Sequence, residues 1–215
     1  KNKQAEEAFE QGLALLSTDP QNIEYLGLCA ETSFALKNYE AAESYVAQIL
    51  RKEPESSYYL LFRAKILFQM GEYLKVSSLL DAYSRMNSSD KDYLLLRTQL
   101  QLVWNKNTTA AIATVQEALK QYPSDYDVIL MAAEIASIAN QGINGKNSLQ
   151  LLEGLSTTEK QNTSVLVITI REAVRNREWE KAYDSSVILL QNSDKELSVE
   201  QFLTHVEICL SLNKI

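Results

Sequence analysis

Proline and glycine are scarce in this chain, three and six residues among 215, and that scarcity excludes collagen-like and low-complexity classes. Cysteine is scarcer still. Cys29 and Cys209 match no metal-ligand spacing and are too few for a disulfide scaffold, so they read as two buried thiols rather than a bridge. No apolar run approaches the roughly 18–20 residues of a membrane-spanning helix. There is no Gly-rich phosphate loop, no His-Glu-x-x-His and no Cys-x-x-Cys. Basic residues are also outnumbered: 21 Lys and Arg face 28 Asp and Glu, a net charge of −7, which argues against nucleic acid as the main ligand. What is present is 46% hydrophobic residues in a chain nearly free of the two residues that helix interiors reject.

Apolar positions three and four apart recur in runs of about fourteen residues, separated by short polar turns. The pattern predicts about twelve helices, over 3–16, 22–36, 39–51, 56–69, 73–85, 91–104, 108–121, 125–139, 146–155, 162–175, 179–191 and 198–212. Ser124-Asp-Tyr-Asp127 and Ser198-Val-Glu-Gln201 each offer an N-cap hydroxyl with an acceptor three residues on. Ser164–Ile170 is β-branched and reads alone as a strand, but the surrounding period demands a helix there.

The three prolines share one phase. Pro20 and Pro54 are 34 residues apart and Pro123 lies 69 further on, with Ser88 at the vacant place between them. On that phase Leu26 and Ala30 align with Leu60 and Ala64. Tyr39, Ala42 and Val46 align with Tyr73, Val76 and Leu80, and Ala111, Val115 and Pro123 follow; Trp179 and Ala182 open the last copy.

This pattern resembles the tetratricopeptide repeat (TPR) family, whose 34-residue unit carries large-x-x-Leu-Gly/Ala-x-x-Tyr on helix A and Gly-x-Tyr-x-x-Ala-x-x-x-Phe-x-x-Ala-x-x-x-x-Pro on helix B. Departures are Arg63 at an apolar position, Ser33 in place of an aromatic, and the stretch Asn140–Asn147 with Gly142 and Gly145, where a loop or kink is expected. The resemblance implies an all-α fold, a right-handed superhelical solenoid of antiparallel helix pairs. The expected organisation is one solenoid segment: a leading helix B, pairs at 22–54, 56–88, 91–123, 125–160 and 162–195, and a final helix 198–212. Asn213-Lys-Ile215 stands where a further helix B would open, so the segment is expected to belong to a longer protein or to be capped by 198–212.

Function is expected on the concave groove lined by helix A positions. The resemblance places there Phe34 with Glu24, Leu28 and Glu31; Tyr58, Leu61, Phe62, Lys65 and Phe68; and Tyr93, Leu96, Arg97, Leu100 and Trp104. Met131 follows with Asp127, Leu130 and Glu134, and then Ser164, Val167, Ile168 and Arg171. An aromatic patch rimmed by cations suits an extended or helical peptide, so the chain reads as a non-enzymatic scaffold for a protein or peptide partner. Two other classes are an RNA-binding helical repeat and a regulatory arm of a larger enzyme or membrane-associated assembly. Family members that clamp a chaperone's carboxylate tail use Lys and Asn where this chain has Gly27 and Glu31, so that partner is not expected. No cofactor or metal is expected. His205, the only histidine, lies on an amphipathic helix with no triad signature. The paired acids Glu6-Glu7 and Asp125/Asp127 read as helix-dipole partners. Three Asn-x-Ser/Thr matches, at Asn87, Asn107 and Asn162, fall in predicted turns. The segment reads as soluble, cytoplasmic or exported after loss of a targeting segment.

Overall fold

The computed structural model describes residues 2–192 and 198–213. These residues form thirteen helices and no strand, in two compact units, one ending at Lys106 and one beginning at Asn107. The first unit holds α1 (Asn2–Thr18), α2 (Ile23–Ala35), α3 (Tyr39–Lys52), α4 (Ser57–Gln69), α5 (Tyr73–Asn87) and α6 (Lys91–Val103), each packed against the next. The second holds α7 (Thr108–Gln121), α8 (Tyr126–Ala139), α9 (Ser148–Leu152), α10 (Thr157–Lys160), α11 (Thr163–Arg175), α12 (Trp179–Asn192) and α13 (Val199–Ser211). Residues 193–195 of the fifth expected pair, and Lys214 and Ile215 of the unfinished repeat, lie outside the described residues.

Pairing follows from the 34-residue phase. Ala30, Ala64, Thr98 and Ala132 recur at that interval on the first helix of successive pairs, and all four are completely buried. On α2 and α4 the small side chain there lets the next helix cross closely. Thr98 is admitted because its hydroxyl donates to the Leu94 carbonyl at 2.8 Å. Ala42, Val76 and Ala111 hold the matching sites on the second helices, also completely buried. Between α2, α3 and α4, Ala30, Ala42, Val46, Leu50 and Ile66 form one core cluster, with Phe34, Tyr39, Tyr59 and Phe62 packed on it.

Left-handed residues recur in the turns between helices. Lys37 (φ 62°), Gly71 (φ 76°), Lys106 (φ 50°) and Asn140 (φ 49°) succeed one another at intervals of 34, 35 and 34, and Arg177 (φ 60°) closes the α11–α12 turn. After Lys37, Gly71 and Arg177 the next residue donates back to the last turn of the helix: Asn38 to Ser33, Glu72 to Leu67 and Glu178 to Ala173, at 2.8–2.9 Å. That is the glycine-type helix stop, built here mostly with other residues. Asn38 then caps the next helix, its Oδ1 accepting from the Ala41 N–H.

Three local expectations meet different outcomes. The β-branched stretch 164–170 lies inside α11, where Val165, Leu166, Ile168 and Ile170 are buried; tertiary packing overrides strand propensity. Ser198 and Gln201 form the expected capping box of α13. At α8 the cap is Asp125 rather than Ser124, because the Asp125 carboxylate reaches both the Asp127 and Val128 N–H groups. The fourth pair departs most. In place of a helix over 146–155 stand α9, α10 and, before them, a tight turn in which Ile143 and Lys146 exchange two backbone bonds across Asn144 (φ 50°) and Gly145 (φ 75°). Ile143 is completely buried.

Candidate functional site

In the first unit α2, α4 and α6 are the first helices of consecutive pairs, and side chains join them edge to edge. Tyr58, in the first turn of α4, donates its phenol O–H to Glu31 Oε1 of α2 at 2.7 Å. Lys65, two turns further along α4, binds Asp92 Oδ2 of α6 at 2.6 Å. The three helices therefore share one face.

Aromatic rings run across this face. Tyr58 stacks on Phe62 at 6.2 Å and meets Tyr59 edge-on at 5.0 Å. Phe62 in turn meets Phe34 of α2 at 5.4 Å, and Phe34 meets Tyr39 at 5.5 Å. Phe62 and Phe34 are half-buried, whereas Tyr58 remains 56% exposed. Its phenol is pushed up to about 12, by burial of the hydroxyl first and then by the bond to, and the charge of, Glu31. The neighbouring Tyr59 phenol is also raised, by burial and then by the charges of Glu31, Glu53 and Glu24.

Trp104, 46% exposed at the C-terminal end of α6, belongs to a second series: its ring lies 5.5 Å from Tyr73, which lies 5.4 Å from Phe68. The rise of a helix puts Phe68 about 15 Å along α4 from Tyr58. Tyr93 has to be reassigned. It is 3% exposed and stacked on Tyr83 of α5 at 5.6 Å, so it is a core residue that anchors Arg97. Arg97 donates to the Tyr93 hydroxyl, sits 5.7 Å from the ring centre and reaches Asp81 at 4.0 Å. Leu61, Leu96, Leu100 and Ile168 are likewise buried and leave the face, because a helix A position that points inward at one repeat must fill the next pair. Met131 is half-buried on α8, in the second unit.

Sequence reasoning missed Tyr59 and the partner of Arg63. Two N–H groups of Arg63 converge on Glu43 Oε1 of α3 at 2.9 and 2.5 Å, which accounts for a charged residue at an apolar place. A Glu on the preceding second helix, twenty residues back, was the signal available. Gly27, at the first clamp position, is buried under Tyr59: a Cβ there would lie 2.4 Å from the Tyr59 hydroxyl oxygen.

In the second unit, Glu172 of α11 is 9% exposed and fully engaged. It accepts from Ser137 Oγ at 2.5 Å and from Arg175 at 2.7 Å, while Arg175 also donates to the Ser137 carbonyl at 2.9 Å. A pocket of about 320 Å³ lies among α11, α12 and α13, lined by Val167, Ile170, Arg171, Leu189 and His205 among others. His205 Nδ1 is 2.8 Å from Ser186 Oγ. The Ser186 hydroxyl also lies 2.8 Å from the Tyr183 carbonyl oxygen, a second acceptor for its proton. Nε2 faces Cys209 Sγ at 3.5 Å. Both cysteines are free; Cys29 is buried as expected, but Cys209 is only partly so. Among the described residues no group of three or more His, Cys, Asp or Glu could hold a metal, and no helix is long and apolar enough to cross a membrane.

Repeated helix pairs with glycine-type turns and a shared face of first helices are the architecture of the tetratricopeptide repeat fold. Residues 1–66 match the family model described as Tetratricopeptide repeat. Solved TPR structures agree. A TPR protein from Parabacteroides merdae superposes with a TM-score of 0.76 at 16% identity, covering 97% of this chain and 78% of that one. PilW, a type IV pilus biogenesis factor, gives 0.71 at 13% identity over 89% of this chain and 86% of its own. PilF of Pseudomonas aeruginosa gives 0.67 at 14% identity over 97% and 98%. At such identities the likeness is one of fold. No curated protein matches the chain.

Proposed function

We propose that the chain is a non-enzymatic interaction scaffold that binds a segment of a protein partner on the shared face of α2, α4 and α6. The observation that carries the reading is the exposed Tyr58 ring, continuous with Phe62 and Phe34 and held in place by Glu31. Aromatic rings supply most binding energy per residue at protein interfaces, and a ring already fixed by a hydrogen bond loses little entropy on binding.

Charge disfavours RNA as the ligand. Lys65, Arg97 and Arg63 are occupied by Asp92, Asp81 and Glu43, and Glu24 and Glu31 are exposed on α2. A phosphate backbone would meet carboxylates there. Partner capture by pull-down should fall at least tenfold in Tyr58→Ala and Phe62→Ala, with helical circular dichroism unchanged. Undiminished capture by both variants would remove this face from the account.

A further inference from the structure

We infer that the segment bound on this face is basic, presenting an Arg or Lys side chain beside a bulky apolar one. The inference rests on the proposed function and names the partner class for the same site. The geometry joins two features within one turn of α4. Phe62 and Phe34 offer half-buried ring surface for an apolar side chain. Beside them Tyr58 presents an exposed ring whose hydroxyl is bound to a carboxylate, an arrangement that attracts a guanidinium or ammonium group by both its π face and the adjacent charge.

The charges packed around the site leave that carboxylate unneutralised. On α2 stand Glu24 and Glu31, and at the end of α3 stands Glu53, all exposed. Burial first, then these three charges, raises the Tyr59 phenol, and burial first, then the bond to and the charge of Glu31, raises that of Tyr58. The cations nearby are committed elsewhere: Lys65 to Asp92, Arg63 to Glu43 and Arg97 to Tyr93 and Asp81. Lys52 donates to the Gln21 carbonyl, just before α2. A basic partner gains attraction here, and an acidic one meets repulsion.

The test is a positional-scanning array of 12-residue peptides probed with the full chain and with Glu31→Gln, Tyr58→Ala and Phe62→Ala. Glu31→Gln keeps an oxygen to accept the Tyr58 hydroxyl and removes only the charge. Retained peptides should be enriched in Arg or Lys next to Phe, Trp or Leu and depleted in Asp and Glu. Glu31→Gln should cut the preference for Arg and Lys five- to tenfold while the aromatic preference persists. Retention without charge preference, or a preference for acidic peptides, overturns the inference and leaves the proposed face standing. Retention of no peptide, or retention unchanged in Tyr58→Ala and Phe62→Ala, overturns both.

Discussion

Lys37, Lys106 and Arg177 occupy left-handed backbone that side chains with a Cβ adopt at a cost of about 1–2 kcal/mol. Glycine recovers most of that and gives back part through unfolded-state entropy. Lys37→Gly and Arg177→Gly should each stabilise the chain by about 0.5–1 kcal/mol, read as a higher urea midpoint at constant slope. Gly27 poses the reverse case. Alanine gains about 1 kcal/mol of helix propensity, but its Cβ would sit 2.4 Å from the Tyr59 hydroxyl oxygen and 3.5 Å from the ring carbon behind it. Gly27→Ala should therefore destabilise by about 1–2 kcal/mol, whereas the same change made in Tyr59→Phe should be neutral or stabilising. Tyr58 supplies a pH signature. Its folded-state value of about 12 lies above the ordinary value near 10, so its contribution to stability is complete below pH 10 and is lost as pH rises through 12. The difference in phenolate absorbance between the wild type and Tyr58→Phe should show one group titrating near 12, and Glu31→Gln should move it down.

At the level of elements, the helix pairs were legible because Ala30, Ala64 and Ala42 fall at fixed phase and their burial depends on little else. The 146–155 helix was not. Leu151, Leu152 and Leu155 keep an apolar spacing although α9 ends at Leu152 and Leu155 lies between α9 and α10, and the Asn144-Gly145 turn acts through a backbone angle that hydrophobic periodicity does not encode. The site divides in the same way. Phe34, Tyr58 and Phe62 could be placed by repeat position, but the burial of Tyr93 depends on Tyr83 of the neighbouring helix, which lies off the helix A pattern. The irregular element makes its own prediction. Ile143 is completely buried, so Ile143→Ala should cost about 2–5 kcal/mol despite lying in a turn. Glu172→Ala, which strands Arg175 and Ser137, should cost about 3–5 kcal/mol. Thermal denaturation of the two variants checks both values, and losses below about 0.5 kcal/mol would show that neither group ties the second unit together.

For the whole molecule, a net charge of −7 and a face of first helices bearing rings and carboxylates point to a protein partner rather than a phosphate polymer. Phe68, which meets Tyr73 and through it Trp104, lies about 15 Å along α4 from Tyr58. A partner segment of roughly five extended residues spans that distance. The most direct measurement is capture of protein partners by the full chain against Tyr58→Ala, Phe62→Ala and their double variant, each verified as folded. The account predicts at least a tenfold loss for each single change and near-complete loss for the pair. Capture by the double variant equal to that of the wild type would contradict it.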